Sequence, residues 1–545
     1  MEKKEIGIDN VNTYERVMQE SPLNPVTKLD YPDPDVIRVD DVYYMATTTM
    51  HFMPGCEILR SYDLCNWEHL TYVYDTLDNT PGQRLEGEEN IYGKGMWATT
   101  LRYHKGRFYI CFVANDTGKT YLYTSDSITG PWSKSTIEGF FHDCSLLFDD
   151  DDRVYIVYGN REIYLTELNG DLSAPKEGGL HRLIVKDSDE TCLGYEGSHF
   201  YKINGKYYIF FIHSSIGEWR RTEACFVADS LEGEFKGCDV VNDDMGYCYQ
   251  GVAQGGIVDT PEGKWYGILF QDRGAVGRIP VLIPMRFEND FPVFGENGKI
   301  PDKFSLTSSR PDYEYTPLVQ SDDFKVPENI TDEEKARLYG CFGLKSVWQF
   351  NHEPDMGLIK HNSKEGSLEI RTGKLCRNVT QAKNVLTQRM LYPGCSGEVT
   401  VDIRNLKDGD YAGLCALQGC YGFVGVTKRN GKNYVVMVSK ETADGDMNAF
   451  EKDILPGQEW EAIPLEADRI RLKVAVDFTN MKDEAEFCYF DDTANCYRKI
   501  GMTHKLYFKL DHFTGCRFGL FTYATKETGG SVKFENFVYK EKGNA

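Results

Sequence analysis

A short strand, a tight polar turn and an aromatic pair recur five times in the first 300 residues, and each recurrence carries a chemically distinctive residue at a matching offset. The pairs are Tyr43-Tyr44, Phe108-Tyr109, Val154-Tyr155 (aliphatic-aromatic), Tyr207-Tyr208 and Trp265-Tyr266. Twelve residues before the second member stand Trp97, Asp143, Glu196 and Gln254; in the first repeat the turn is one shorter, and Asp33 stands eleven before. An apolar residue follows four positions after each: Ile37, Leu101, Leu147, Phe200 and Val258. Successive second aromatics are 65, 46, 53 and 58 residues apart, near the length of a propeller blade. Asn204-Gly205 supplies a strong hairpin turn in the fourth unit, and little of this stretch has helical periodicity. The expected fold is all-β, with residues 1–310 forming a five-bladed β-propeller whose first strands are innermost. An all-β sandwich with coincidental spacing is the competing reading.

The chain of 545 residues is too long for one core. A polar connector with Pro311, Pro317 and Pro327 occupies 311–340, and Thr331-Asp332-Glu333-Glu334 resembles the capping box of a short helix reaching Leu338. Strand-like runs at Ser367–Thr372, Gly397–Ile403, Tyr421–Thr427, Tyr434–Val438, Ile470–Phe478 and Arg517–Tyr523, with a hairpin at Asn430-Gly431, predict a β-sandwich over 341–545.

Composition narrows the partners. A net charge of −23 opposes nucleic acid and anionic membrane surfaces, and disfavours a polyanionic substrate. Aromatics at 13% suit both strands and sugar-stacking surfaces, so a small neutral oligosaccharide is the expected ligand. The first residues carry no apolar signal segment, no run is apolar enough to span a bilayer, and the 16 cysteines are scattered without a CxxC pair. These features point to reduced thiols in a cytoplasm, with a mature protein stripped of its signal as the alternative. A homo-oligomer is compatible with the chain.

Cyclic repeats bring equivalent positions to one axis, so Asp33, Asp143, Glu196, Trp97 and Gln254 should meet there. Prolines on both sides pin Asp33, and Gly197 lets the backbone beside Glu196 approach a ligand closely. Three carboxylates in one channel cannot all ionise cheaply, and at least one must hold its proton. A raised acid facing an ionised base is the arrangement that cleaves a glycosidic bond. Asp143 and Glu196 come from adjacent blades and should be neighbours, whereas Asp33 lies two blades from either. That separation leaves room for water and favours inversion, with Asp33 as general base, Glu196 as general acid, and Asp143 tuning and orienting the acid. No P-loop, dinucleotide fingerprint, HExxH or GxSxG competes.

The same residues resemble glycoside hydrolase family 43, in particular its β-xylosidase and α-L-arabinofuranosidase members. The resemblance rests on Tyr31-Pro32-Asp33-Pro34, the run Thr49 to Gly55, Trp97-Ala98 with Leu101-Arg102-Tyr103-His104, Asp143 before Ser145 to Asp151, Glu196-Gly197-Ser198-His199, and Gly277-Arg278. Trp348 to His352, Asn384 to Arg389 and Phe513-Thr514-Gly515 resemble the sandwich of the xylosidase-type members. It implies a five-bladed propeller, inversion and the same carboxylate roles. It further implies Arg278 as a contact to substrate hydroxyls and Trp97 and Phe52 as walls of the sugar pocket, with Phe513 a candidate to reach in from the second domain. Many members carry a histidine on the fifth inner strand that ligates calcium; here Gly251-Val252-Ala253-Gln254-Gly255-Gly256 has none. No cofactor is therefore expected to be required and no metal ligand is assigned, although Gln254 could supply an oxygen to a calcium ion or hold a water. Asp149 to Asp152 reads as a solvated turn. The expected activity is exo-release of xylose from β-1,4-xylooligosaccharides, of terminal α-L-arabinofuranose, or of both. An arabinan-directed hydrolase and a non-catalytic carbohydrate-binding propeller are the alternatives.

Overall fold

Strands such as Arg107–Ala114 and Lys206–Ser214 are almost wholly buried. They lie in the middle of stacked sheets, which explains why β-branched and aromatic residues run through them without polar alternation. Their turns follow local chemistry: Asn204 and Gly205 adopt φ of 50° and 81°, and Asn430 and Gly431 adopt 50° and 76°, the left-handed pair that a two-residue hairpin requires. In the computed structural model, which describes residues 14–16, 24–296, 298–440 and 453–542, these hairpins assemble into two all-β units.

The first unit is a five-bladed propeller. Each blade is a four-stranded antiparallel sheet built from strands in chain order, with only Phe52–Met53 leaving blade one for the second unit. The innermost strands are Asp35–Val39, Met96–His104, Ser145–Phe148, Glu196–Ile203 and Val252–Asp259, each packed against the inner strands of both neighbouring blades. Among the described residues no strand is exchanged to close the ring. Instead Arg38 of blade one pairs with Asp259 of blade five at 2.5 Å, and the Gly256 N–H donates to the Pro34 carbonyl. The segment before Asp33 runs along blade five, where Asn24 exchanges two side-chain hydrogen bonds with the Leu282 backbone.

At the hub, the Arg102 guanidinium donates to Asp35 Oδ2 (2.7 Å), Ser145 Oγ (2.6 Å) and the carbonyls of Leu101, Leu146 and Phe200. Asp35 also accepts from the Leu101 N–H at 2.7 Å and lies 3.1 Å from His199 Nδ1. Burial opposes ionisation of Asp35, but Arg102 and His199 outweigh it and hold the carboxyl down at about 2. Four blades thus share one cation.

The last propeller strand ends at Phe294, the helix Asp332–Leu338 follows with its Thr331–Glu334 capping box formed, and the first sandwich strand is Gln349–Asn351. One sandwich sheet is extended by the propeller itself. Phe52–Met53 pairs with Gln349–Asn351, which continues through Leu386–Arg389 and Arg517–Ala524 to Asp410–Leu417 and beyond. The opposing sheet centres on Ser531–Glu541, Gly394–Asp402 and Arg469–Asp477. His51, Tyr92, His352 and His512 stack at the junction, and burial depresses the His512 imidazole to about 4. The acidic turn differs from expectation at one residue: Asp149 is buried, accepting from Tyr207 Oη at 2.7 Å and pairing with Lys202.

Arg102→Ala should lower unfolding stability by about 3–5 kcal/mol, because it strands the buried Asp35 charge. Chemical denaturation of the variant beside the native protein measures this; a loss below about 1 kcal/mol would contradict a structural hub.

Candidate active site

The five matching positions lie where the inner strands are interrupted. Asp33 and Asp143 stand two residues before their strands and adopt φ of 53° and 48°. In blades two, four and five the register slips between Met96 and Thr99, Glu196 and His199, and Ala253 and Gly255. Bulges and left-handed residues break the alternation of side chains, so consecutive residues can face the axis together. Left-handed non-glycine residues cost about 1–3 kcal/mol each, a strain that gathers at functional sites. Gly197, at φ 64°, has no alternative: a Cβ there would lie 2.6 Å from the Gln254 side chain.

Asp33 sits on one side of the axis, 5% exposed. Its Oδ1 accepts from Arg278 Nη1 at 2.8 Å and its Oδ2 from Thr48 Oγ1 at 2.7 Å. Both oxygens are therefore oriented as acceptors, and the guanidinium neutralises the charge.

Asp143 and Glu196 form a second group. Their carboxylate oxygens and His142 Nε2 all lie within 4.8 Å of one another. His142 Nε2 is 3.7 Å from Asp143 Oδ2 and 3.6 Å from Glu196 Oε2. Asn160 Nδ2 donates to Glu196 Oε2, and the Gly197 N–H donates to Asp143 Oδ2 at 3.2 Å. Burial pushes Asp143 up to about 7, reinforced by the charges of Glu196 and Asp33 and opposed by His142. Burial acts against the charged imidazole of His142, but the two carboxylates outweigh it and raise His142 to about 9. The raised carboxyl expected from crowding is thus Asp143.

Trp97 and Phe513 enclose the group. Their rings lie 5.8 Å apart, Trp97 lies 5.6 Å from the His142 ring, and the Arg278 guanidinium sits 4.2 Å from the centre of the Phe513 ring. Phe513 thus reaches the axis from the sandwich domain. Its loop is tied down by Asp30, which accepts from the Gly515 N–H and the Arg278 N–H, each at 2.8 Å. One carboxylate thereby fixes both the Phe513 loop and the strand that carries Arg278. Trp97 Nε1, Asp143 Oδ1, Ser198 Oγ and Arg278 Nε are buried without a protein partner, the condition of groups awaiting a polyhydroxylated ligand.

Two expectations change. Phe52 is only 2% exposed and packs under Arg517 in the sandwich core, because its strand pairs with Asn351; it offers almost no surface to a ligand and buttresses the domain junction instead. Gln254, 4% exposed, lies against Gly197 and donates its backbone N–H to Glu223 at 2.7 Å, so its side chain shapes the floor. His142, Asn160, Thr48 and Asp30 were not anticipated. The signal for His142 was an ionisable residue beside Asp143; the others are matched only in three dimensions. The trio His142, Asp143 and Glu196 has the donor types of a metal site as well as those of an ion-paired cluster.

Comparison with known proteins agrees with this geometry. The family model for glycosyl hydrolases family 43 matches residues 22–292, and that for the beta xylosidase C-terminal concanavalin A-like domain matches 343–540. A beta-xylosidase of Formosa agariphila is 24% identical over 96% of this chain and 90% of its own. A non-reducing end alpha-L-arabinofuranosidase of Bacteroides ovatus is 25% identical over 77% of this chain and 78% of its own. The solved structure of a bifunctional GH43-CE protein of Bacteroides eggerthii superposes with a TM-score of 0.86 at 40% identity, over 96% of this chain and 64% of that one. With both units matched and three axial carboxylates in place, the chain belongs to glycosyl hydrolase family 43 and is a glycosidase.

Proposed function

We propose that this glycosidase is exo-acting and inverting, releasing xylose from the non-reducing ends of β-1,4-xylooligosaccharides, with terminal α-L-arabinofuranose removal as a second activity. The observation that carries the reading is the division of the site. An acceptor carboxylate, Asp33, is fixed by Arg278 and Thr48, and a second acidic pair, Asp143 and Glu196, is bridged by His142. The similarity to xylosidases and arabinofuranosidases supports the pentose substrates. Phe513 projecting from the sandwich over Trp97 and Arg278 supports a closed pocket that takes chain ends rather than an open groove.

In this mechanism Glu196, the more exposed of the pair, protonates the glycosidic oxygen as the bond to the anomeric carbon breaks. Asp33 takes a proton from the attacking water on the opposite face, giving the sugar with inverted configuration. Asp143 keeps the proton on the pair until it is needed, and Trp97 offers a flat face to the sugar ring. All charge handling is supplied by side chains, so turnover should persist in chelator. Cysteines scattered along the sequence without a CxxC pair support a reducing compartment such as the cytoplasm.

Purified protein should turn over p-nitrophenyl β-xyloside and α-L-arabinofuranoside, and Asp33→Asn or Glu196→Gln should lower kcat by about 10²–10⁴. NMR of the first-formed sugar from a β-xyloside should show α-xylose; net retention would recast Asp33 as a nucleophile. Because Asp143 gives up the proton it holds beside Glu196 near pH 7, kcat/KM should decline above about pH 7. Asp143→Asn removes the group whose proton leaves near pH 7, so the alkaline limb should move to lower pH. A limb that stays in place would separate Asp143 from control of the acid.

A further inference from the structure

We infer that His142 is a positioning residue for the general acid: a cationic clamp, shared by Glu196 and Asp143, that aims the Glu196 carboxyl at the leaving-group oxygen. This rests on the reading of Glu196 as the acid and goes beyond the three carboxylates.

The geometry is specific. His142 precedes Asp143 in the chain, and in a regular strand neighbouring side chains face opposite ways. At φ 48° Asp143 is not in a strand conformation, and both side chains turn to the axis. His142 Nε2 is nearly equidistant from the two carboxylates, at 3.6 and 3.7 Å. These are ion-pair contacts, too long for good hydrogen bonds; catalytic contacts of this kind shorten when substrate excludes water. The His142 ring is backed by Trp97 at 5.6 Å, and its carbonyl accepts from the Gly159 N–H at 3.0 Å, which fixes the backbone beside Asn160. Glu196 is thus held from two sides, by the cation and by Asn160 Nδ2.

The titratable groups facing the imidazole are few. Asp143 and Cys144 come from its own segment and Glu196 from blade four; Trp97 of blade two and the Gly159 backbone of blade three bring no charge. Asp33 acts on the cluster through Asp143. The carboxylates win over burial, so the imidazole is charged through the neutral range. An adjacent positive charge eases loss of the proton from Glu196, the opposite of the influence of Asp143. His142 and Asp143 therefore bracket the acid with opposing charges, and transfer of the acid's proton to the leaving oxygen leaves a carboxylate facing a cation.

The test compares native protein with His142→Gln, which keeps a donor without charge, and His142→Phe, which keeps a ring against Trp97. The substrates are xylobiose, whose sugar leaving group needs protonation, and p-nitrophenyl xyloside, whose leaving group needs little. Both variants should lose about tenfold or more in kcat on the first while staying within about threefold on the second, with KM little changed. Their alkaline limbs should move up by about one pH unit, opposite in sign to Asp143→Asn. Equal losses on both substrates, or a limb that does not rise, overturn the inference. A native protein that turns over neither glycoside overturns the acid-base reading and this inference with it, a result distinct from an active enzyme indifferent to His142. Should neither variant fold, NMR titration of labelled histidine in the native protein decides the matter: a His142 midpoint below about 6.5 overturns it.

Discussion

The Arg102 guanidinium is the interaction on which the rest of the molecule is organised. A propeller without an exchanged strand has no covalent or ladder closure, so its blades must be registered by side chains at the axis. Arg102 of blade two reaches Asp35 of blade one, Ser145 and Leu146 of blade three, and the Phe200 carbonyl of blade four. Blade five joins through Gly256, where a Cβ would meet both the Tyr201 hydroxyl, at 2.6 Å, and Asp35. Asp35 is two residues beyond Asp33, Ser145 two beyond Asp143, and His199 three beyond Glu196. The hub that registers the blades therefore also registers the carboxylates one step along the same strands. It supplies the rigidity that lets left-handed aspartates persist.

Above that hub one type of residue has two electrostatic fates. Asp33 is met by a guanidinium and a hydroxyl, both donors. Asp143 is buried beside Glu196 with one oxygen unpartnered, and the proton stays. Environment rather than residue identity separates the base from the proton-holding modulator, and neighbours on other blades create both environments.

The sequence revealed what depends on local chemistry. The hairpins at Asn204-Gly205 and Asn430-Gly431 and the capping box at Thr331 form as their residues dictate. The offset of twelve located the axial carboxylates because a blade's first hairpin has nearly constant length. What the sequence hid depends on interrupted periodicity or on distant segments. His142 beside Asp143 would face away in a regular strand, and only the left-handed aspartate brings it inward. The family resemblance implied Phe52 as a pocket wall. Its partner Asn351 is some 300 residues away, and that pairing turns the ring into the sandwich core. Asp30 gave no signal at all, since its two donors come from Arg278 and Gly515.

That last carboxylate has a consequence for how the protein comes into being. Asp30 and Gly515 are 485 positions apart, and the loop they fasten carries Phe513. On the ribosome, the acids of the first three hundred residues emerge long before the ring that roofs them. A nascent propeller therefore presents an unroofed acidic cavity and an Asp30 with half its donors absent. Only after Gly515 has been translated can the cavity close, which makes catalytic competence wait on the second domain.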